Sequence, residues 1–374
     1  MNGTAAIFRG VRKPFELREF PLGDPGSGEL IVEMIRTNVC GSDLHIWRGD
    51  TDMAKMGVAY PIILGHEMVG RVLRAGRGAD QDALGRSLRE GDRVVWCYYA
   101  PCGKCRACLR GQNHACMMSL ASLVRPCEMP PHFVGGFATH YLVRRGQKVF
   151  KVPDEAGDAE VAGANCALSQ VVFGLGKAGL TFGETVVVQG AGGLGLYACA
   201  VAKEMGASRV IAIDAVPARL ELAKRFGADA VIDVGGTEPR ARIEQVKTLT
   251  DGWGADIVVE VVGSPAVVPE GIKMLGRGGR YLELGNINPK QTYAADPSII
   301  VGNNISIHGV SLYEPLTLER SIDFIARARK RLPFDAIASH VFPLAKIDEA
   351  FERADVFAHS KDAVTRVAIG LKEN

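Results

Sequence analysis

The second half of the chain alternates short apolar runs with longer amphipathic stretches. Six runs rich in valine and isoleucine predict strands that begin near residues 185, 210, 230, 256, 280 and 305. Four stretches with helical periodicity, beginning near residues 194, 218, 241 and 266, predict helices between them. Continuous apolar runs suit a parallel sheet that is buried on both faces. The order of elements therefore predicts an α/β domain of the doubly wound, Rossmann type.

The residues before about 165 show a different pattern, in which short alternating strands are broken by glycine and proline. This pattern predicts a β-rich domain. After about residue 310, two helical stretches and a closing apolar run predict that the chain returns to this first domain. We therefore predict a discontinuous catalytic domain, residues 1–166 and 311–374, around a nucleotide-binding domain, residues 167–310. Segment 119–134 fits neither pattern and has no predicted element; a role at the entrance to a pocket is open for it.

Size and composition narrow the classes of function. A chain of 374 residues predicts two domains, and 47% apolar with 23% charged residues is typical of a globular protein. The formal net charge of +2 comes from 44 basic and 42 acidic residues without a basic cluster, so we expect no nucleic-acid partner. No apolar run is long enough for a membrane span or a signal peptide, so we expect a cytoplasmic protein. In that compartment, the nine cysteines are metal ligands or buried residues rather than disulfides.

A glycine-rich run, GAGGLG, directly follows a predicted strand and opens a predicted helix. This context fits a dinucleotide-binding loop, in which glycines permit a tight turn and the helix N-terminus faces the pyrophosphate. A chance glycine-rich turn is the alternative. The predicted cofactor-binding residues of this loop are Gly190, Gly192, Gly193, Leu194 and Gly195.

Asp214 ends the next predicted strand, 19 residues after Gly195. A carboxylate there accepts hydrogen bonds from the adenosine ribose and repels a 2′-phosphate, so we expect NAD rather than NADP as the cofactor. Arg219 would weaken this preference. A solvated acid at a strand end is the alternative interpretation of Asp214.

Four cysteines follow the pattern C-x2-C-x2-C-x7-C within a loop of about residues 97–118. Four sulfur ligands close a tetrahedral site without an open position, which is typical of structural zinc. An iron–sulfur cluster is the competing interpretation. The predicted structural-zinc ligands are Cys102, Cys105, Cys108 and Cys116.

A second constellation combines Cys40, His66 and Cys166, with Glu67 next to the histidine. Two cysteines and one histidine leave a zinc ion with an open position for substrate, as catalysis requires. Taken singly, the cysteines are equally well explained as small buried residues, His66 as a hydrogen-bonded core histidine and Glu67 as a loop acid.

Five motifs, in this order, resemble those of the zinc-containing medium-chain alcohol dehydrogenases. The motifs are CGSDLH from residue 40, GHEMVG from residue 65, the four-cysteine loop, GAGGLG and Asp214. The resemblance spans nearly the whole chain and implies a GroES-like catalytic domain beside the Rossmann domain. It also implies that Cys40, His66 and Cys166 bind the catalytic zinc and that Glu67 transiently approaches the metal.

Further roles follow from the same resemblance. Asp43 matches a carboxylate that orients His66, and Arg366 matches a basic residue that reaches the cofactor pyrophosphate. The sequence NCALSQ around Cys166 departs from the glycine-flanked cysteine common in the family. Some polyol-oxidising relatives have a glutamate among the ligands, and the nearest acid, Glu160, lies outside the matching stretch.

The predicted reaction is reversible oxidation of a primary or secondary alcohol, with hydride transfer to NAD and two zinc ions per chain. Ser42 would take the alcohol proton and His45 would pass it outward; the alternatives are a helix-capping serine and a surface histidine. Trp47, Tyr98 and Phe133 are the predicted walls of the substrate pocket, although two of the three are equally compatible with core packing. An aromatic pocket favours an apolar or cyclic alcohol over a sugar.

Two alternatives remain open. One is a polyol or amino-alcohol dehydrogenase on the same fold, and the other is a non-catalytic zinc protein that binds NAD. The catalytic constellation argues against the second, and the two metal sites exclude a zinc-free quinone reductase. We expect a homodimer or homotetramer, in which the run ISIHGV pairs its sheet edge across a two-fold axis.

Overall fold

The structure is a computed structural model that describes residues 1–119, 125–356 and 364–371. Residues 120–124 of the segment without a predicted element, the end of the last predicted helix and the first residue of the closing run lie outside the described residues. In the part of the chain that is described, no helix is both long and apolar enough to cross a membrane.

The first part of the chain consists mainly of short strands, as its alternating pattern predicts. Its strands are β1 (Asn2–Phe8), β2 (Glu16–Pro21), β3 (Leu30–Val39), β4 (Ile62–Ile63), β5 (Glu67–Ala75), β6 (Arg93–Trp96), β7 (His140–Val143) and β8 (Val149–Lys151). Two short helices interrupt them, α1 (Gly41–Arg48) and α2 (Arg106–Leu109), with a 3-10 turn at Asn113–Ala115. Strands β2, β1 and β4 form a small antiparallel sheet.

A helical segment connects this part to the nucleotide-binding part. It comprises α3 (Asp158–Val161), a π-helical turn (Ala164–Leu168) and α4 (Ser169–Lys177). The strands that follow are β9 (Thr185–Gln189), β10 (Arg209–Asp214), β11 (Ala230–Asp233), β12 (Ala255–Glu260), β13 (Leu275–Glu283) and β14 (Ser306–Gly309). The helices between them are α5 (Gly193–Glu204), α6 (Pro217–Arg225), α7 (Pro239–Leu249), α8 (Val268–Met274) and α9 (Pro297–Gly302), with a 3-10 turn at Pro265–Val267.

Among the described residues, β9 to β14 form a parallel sheet in the order β11-β10-β9-β12-β13-β14. Alternate side chains of its strands enter two separate apolar clusters: Val186 and Val188 lie in one, and Val187 lies in the other. Because successive side chains of a strand point to opposite faces, both faces of this sheet are buried. The doubly wound fold predicted from the continuous apolar runs is confirmed.

The last part of the chain returns to the first sheet. Its elements are α10 (Leu316–Ala328), β15 (His340–Pro343), α11 (Ile347–Val356) and β16 (Val367–Gly370), with 3-10 turns at Phe334–Ile337 and Leu344–Lys346. Strand β16 pairs antiparallel with β3, from Val367 opposite Val39 to Gly370 opposite Arg36. The resulting sheet has the order β15-β16-β3-β5-β6-β8, and β7 also pairs with β3. The exact domain boundaries that we assign, at 166/167 and 310/311, stay a prediction.

One predicted helix differs in its bounds. The pattern predicts a helix from residue 266 to residue 275, whereas α8 ends at Met274 and β13 begins at Leu275. Two glycines let the chain pass close to its own backbone here. A Cβ on Gly276 would lie 3.0 Å from the carbonyl oxygen of Trp253, and a Cβ on Gly279 would lie 2.9 Å from the carbonyl oxygen of Gly276. The strand therefore starts earlier than its apolar run.

The glycine loop gives the first testable prediction. A Cβ at Gly195 would lie 1.8 Å from the carbonyl oxygen of Gly190. With a larger residue at this position, α5 could not pack as closely against the end of β9. We expect Gly195→Ala to lower the free energy of unfolding by roughly 1–3 kcal/mol, the usual cost of overpacking. Gly176→Ala is the matched control, because a Cβ at this helical position meets open space and should add about 0.5–1 kcal/mol of stability. Urea unfolding measures both; equal effects would contradict the packing argument.

Candidate metal and cofactor site

Cys40 lies at the N-terminus of α1, where it is held by the carboxylate of Asp43. Asp43 accepts hydrogen bonds from the backbone N–H of Cys40 at 2.9 Å and from that of Gly65 at 3.2 Å. The same carboxylate lies 3.5 Å from Nδ1 of His66. The bond at Nδ1 directs the opposite ring nitrogen, Nε2, away from Asp43. Asp43 therefore joins the two segments that carry Cys40 and His66.

His66 and Glu67 follow a glycine that the local backbone requires. Gly65 has a φ of +91°, and a Cβ there would lie 2.9 Å from the backbone nitrogen of Phe137. This tight turn places His66 immediately before β5, whose pairing with β3 begins at Glu67 opposite Asn38. The turn therefore brings the histidine to the end of the sheet.

Cys166 lies within the π-helical turn Ala164–Leu168, all of whose residues are buried. π-Helical turns are rare and occur frequently at functional sites, because they shift a side chain relative to the regular helix. The fold brings this turn next to the other two segments. The sequence around Cys166 departs from the family pattern, and the structure nevertheless places its side chain with the other predicted ligands.

The ligand atoms of Cys40, His66, Glu67 and Cys166 all lie within 4.8 Å of one another. A tetrahedral zinc with bonds of about 2.0–2.3 Å keeps its donors roughly 3.3–3.8 Å apart, so a small inward shift of these side chains suits the ion. One carboxylate oxygen of Glu67 is buried without a hydrogen-bond partner. The donor set and this free oxygen both fit a metal ion.

Electrostatic interactions within the cluster favour one thiolate. The pKa of Cys40 lies well below its usual range, chiefly because the thiol of Cys166 donates a hydrogen bond to its sulfur, and the same contact raises the pKa of Cys166. Burial by itself would lower the pKa of His66, but the charges of Asp43 and Cys40 outweigh burial and raise it. A bound cation would replace these protons, because ligands bind metal in their deprotonated forms.

The four cysteines of the predicted structural-zinc loop also converge. Their sulfur atoms lie within 4.8 Å of one another. Burial alone would raise the pKa of Cys116, but hydrogen bonds from the backbone N–H groups of Cys102 and Met118 lower it to about 6. An ionised thiolate at neutral pH is ready to bind a cation. The converging residues are Cys102, Cys105, Cys108 and Cys116.

Arg366 connects the metal cluster to the glycine loop. Its guanidinium forms a buried ion pair with Glu67, which also accepts a hydrogen bond from Asn38 at 3.2 Å. The residue before it, Thr365, accepts a hydrogen bond from the backbone N–H of Gly193 at 3.2 Å. A Cβ on Gly193 would lie 2.7 Å from Nε of Arg366. The predicted contact of Arg366 with a pyrophosphate stays a prediction, and the structure adds its pairing with Glu67.

Asp214 ends β10, as the sequence predicts, and faces the glycine loop. Its carboxylate accepts hydrogen bonds from the backbone N–H groups of Ala191 at 2.7 Å and Val216 at 2.9 Å. Nη1 of Arg219 lies 3.7 Å from the carboxylate, and its Nε donates to the carbonyl of Val364. Arg219 is buried, and its guanidinium lies beside the carboxylate of Asp214.

The two residues of the predicted proton route both lie on α1. Oγ of Ser42 is 3.4 Å from Nε2 of His66, the ring nitrogen on the side of the metal cluster. His45 lies one turn further along the same side of the helix. Its Nδ1 is 2.9 Å from Oδ2 of Asp50 and 2.9 Å from Nδ2 of Asn288, which belongs to the loop after β13. Sequence analysis did not identify Asp50 or Asn288, because neither lies in a recognisable motif.

The three predicted pocket residues have different surroundings. The ring of Tyr98 is 5.0 Å from that of His66, so Tyr98 borders the cluster. Trp47 instead packs against Phe351 at 5.9 Å in an apolar core, and Phe133 packs against Phe20 at 6.2 Å in the same core. For these two, the contacts match the core-packing alternative, because their neighbours are apolar residues of the β1 side; their role as pocket walls stays a prediction.

Glu160 and the described part of segment 119–134 have packing partners of their own. The carboxylate of Glu160 accepts a hydrogen bond from Nε of Arg329 at 3.0 Å and another from the N–H of Gly157 at 2.6 Å, so it is used within its own helix cap. In the described part of segment 119–134, the ring of His132 stacks on that of Phe20 at 4.6 Å. This part covers the small sheet of β1 and β2.

Two acids that the sequence analysis missed lie at the carboxyl edge of the parallel sheet. Glu260 ends β12 and is fully buried, and Glu283 ends the adjacent strand β13. Nδ2 of Asn286 donates to both carboxylates, at 3.1 and 2.6 Å. Burial, followed by the contact with Glu283, raises the pKa of Glu260 to about 8. No sequence signal indicates this pair, because each acid belongs to a different strand.

A parallel sheet with a glycine loop, next to a sulfur and imidazole cluster on a β-rich domain, defines a metal-containing, nucleotide-dependent dehydrogenase. Family models described as "Alcohol dehydrogenase GroES-like domain" and "Zinc-binding dehydrogenase" match residues 26–154 and 193–327. The chain belongs to the zinc-containing medium-chain alcohol dehydrogenase family, and the predicted fold class and family are confirmed.

The curated relatives have several substrates. The chain is 32% identical over 338 residues to 5-exo-hydroxycamphor dehydrogenase of Pseudomonas putida, covering 90% of this chain and 91% of that one. It is 30% identical to sorbitol dehydrogenase of Bacillus subtilis over 94% of both. Among solved structures, an alcohol dehydrogenase from Thermotoga maritima superposes with a TM-score of 0.90 and 27% identity, with full coverage of both chains.

The Glu260–Glu283 pair predicts a dependence of stability on pH. The pKa of Glu260 is about 8 in the folded chain and 4.5 in the unfolded chain. The stability that protonated Glu260 contributes is therefore fully present below pH 4.5 and is lost as the pH rises through about 8. Glu283→Gln removes the like charge, so we expect a smaller loss of stability between about pH 5 and about pH 8. Urea unfolding at both pH values measures this. The exposed Glu244→Gln is the control, and parallel pH profiles for the native chain and Glu283→Gln would refute the coupling.

Proposed function

We propose that this protein is an NAD-dependent zinc alcohol dehydrogenase that oxidises a primary or secondary alcohol, including a cyclic or aromatic one, to a carbonyl compound. The observation that carries the proposal is the convergence of Cys40, His66, Glu67 and Cys166 within 4.8 Å, with Oγ of Ser42 3.4 Å from His66. A donor set with an open position beside a hydroxyl relay suits catalysis rather than a structural metal.

A zinc ion at this cluster would supply Lewis acidity to the substrate oxygen, and NAD would supply the hydride acceptor. Cys40, His66 and Cys166 would hold the ion, and Asp43 fixes the orientation of His66. The loop residues Gly190–Gly195 and the N-terminus of α5 would bind the pyrophosphate. A second zinc in the four-cysteine loop would hold that loop in place.

Ser42 accepts the substrate proton at Oγ and at the same time releases its own hydroxyl proton, which His45, one turn further on the same side of α1, passes towards solvent. Asp50 supports this route because its carboxylate contacts Nδ1 of His45 at 2.9 Å and its side chain is 41% exposed. The proton therefore has a hydrogen-bonding acceptor at the protein surface. Glu67, held by Arg366, keeps a carboxylate beside the metal position.

The buried ring of Tyr98 beside His66 favours an apolar or aromatic substrate, because an aromatic ring contributes mainly apolar carbon surface to that side of the site. The hydroxycamphor dehydrogenase relative, whose substrate is a cyclic alcohol by name, supports the same choice. A polyol or amino-alcohol dehydrogenase is the second candidate, favoured by the similarity to a sorbitol dehydrogenase. A non-catalytic role would give no reason for the arrangement of Ser42 beside the cluster.

Self-association is part of this proposal. Strand β14 is the edge of the parallel sheet, and Ile307 on it is 42% exposed. An exposed edge with an apolar side chain is suited to pairing with a second copy, because the edge leaves backbone groups free. A homodimer or homotetramer follows from such pairing.

A substrate panel with matched metal analysis tests the proposed reaction. We expect NADH formation, read by absorbance, with cyclic or aromatic alcohols in preference to polyols, and two zinc ions per chain. Cys40→Ser should abolish turnover and remove one zinc, because one of the three strong ligands is lost. Cys199→Ala is the control, because Cys199 is buried in α5 away from both clusters. A single metal that survives Cys40→Ser would contradict the proposal.

The choice of cofactor has its own test. We expect kcat/KM with NAD to exceed that with NADP by at least about tenfold, or ~1.4 kcal/mol, because the carboxylate of Asp214 repels a 2′-phosphate. Asp214→Asn removes this charge with little change of shape and should reduce the preference. Asp233→Asn is the control, since Asp233 ends the neighbouring strand β11 and is exposed. Equal turnover with both cofactors in the native protein would refute this assignment.

A further inference from the structure

The side chain of Asn165, the residue before Cys166, is fully buried and fully engaged. Its Oδ1 accepts a hydrogen bond from the backbone N–H of Met68 at 3.1 Å. Its Nδ2 donates to the carbonyl oxygens of His66 and Trp96, each at 3.0 Å. Both amide hydrogens and one oxygen lone pair are therefore used.

These three contacts reach the segments that form the metal cluster. The carbonyl of His66 and the N–H of Met68 lie on either side of Glu67, so one amide fixes the backbone around both potential ligands. The pairing of β5 with β3 begins at Glu67, so the carbonyl of His66 lies outside the paired part of the strand. Asn165 supplies the hydrogen bond at this point.

The third contact reaches the end of β6. Trp96 is the last residue of that strand, two residues before Tyr98, whose ring borders His66. The backbone of Asn165 is itself held, because its carbonyl accepts a hydrogen bond from the hydroxyl of Tyr313. The residue therefore ties the turn that carries Cys166 to the two strands beside it.

We propose that Asn165 is a positioning residue that sets the distance between Cys166 and the His66–Glu67 pair and thereby the affinity of the cluster for its metal. The inference rests on the proposed metal at this cluster. Ligands from separate segments bind a metal tightly only when their backbones are already held close together, and outer hydrogen bonds provide this. An amide is required, because two carbonyls need donors and one N–H needs an acceptor.

Substitutions of Asn165 separate these contributions. Asn165→Asp keeps the shape and the acceptor for Met68 but cannot donate to the two carbonyls. Asn165→Ser keeps a single donor in a smaller side chain. Both should bind zinc at the catalytic cluster about 10–100-fold more weakly than the native chain, the usual effect of removing such a contact.

Gln147 offers a matched control. It is also a buried amide with three hydrogen bonds: Nε2 donates to the carbonyl of Cys97 at 3.0 Å and to the hydroxyl of Tyr141 at 3.2 Å, and Oε1 accepts from the N–H of Arg144 at 2.9 Å. None of these partners belongs to the metal cluster. Gln147→Ala should therefore lower stability and leave the metal affinity within about twofold of the native value, a margin far below the change expected on loss of an outer contact.

The experiment is a competition of each full-length variant against a zinc chelator, together with the visible absorption spectrum after Co²⁺ substitution. The Cys40→Ser variant, which keeps only the four-cysteine site, gives the metal binding and the spectrum of that site alone. We expect weakened binding and altered ligand-field bands in both Asn165 variants but not in Gln147→Ala. Native affinity and spectrum in both Asn165 variants, with only a lower melting temperature, would overturn the inference and leave the proposed reaction intact. A native cluster that binds neither ion would overturn both.

Discussion

The structure depends on the convergence of negatively charged donors from three separate chain segments in a mostly buried cluster. Cys40, Glu67 and Cys166 each carry or can carry a negative charge, and Glu67 is fully buried. Like charges in a poorly solvated site repel strongly, so they need a cation or protons. The structure meets part of this need with Arg366, which pairs with Glu67, and a metal ion would meet the rest.

The need for a positive charge beside Glu67 is met by the last part of the chain, which returns to the first domain. Arg366 immediately precedes β16, which pairs with β3 and places the guanidinium beside Glu67. The preceding residue bonds to Gly193 at the start of α5, so one short segment touches both the metal cluster and the cofactor loop. Proximity of the proposed metal and cofactor sites therefore follows from the position of β16 and does not depend on the association of two independent domains.

The sequence predicted well what is encoded in contiguous residues. The glycine loop, the cysteine loop and the parallel strands are local patterns, so their periodicity and spacing suffice. For Trp47 and Phe133 the sequence left pocket wall and core packing open, because position next to a motif says nothing about the direction of a side chain; in the structure both pack in the apolar core around Phe20 and Phe351. Asn165 and the Glu260–Glu283 pair could not be found, because their partners are distant along the chain and meet only through sheet register and packing.

The four-cysteine loop has no open ligand position, yet hydrogen bonds to the adjacent residues Glu314 and Tyr313 connect it to the turn that carries Cys166. Asn113 and His114, within this loop, contact the carboxylate of Glu314 at 2.9 and 2.6 Å. The neighbouring Tyr313 bonds through its hydroxyl to the carbonyl of Asn165. A metal in this loop would therefore also hold one end of the chain of contacts that supports Cys166. Such a metal would act on the proposed catalytic cluster only through the rigidity of the ligand framework, because small displacements of donors change metal affinity.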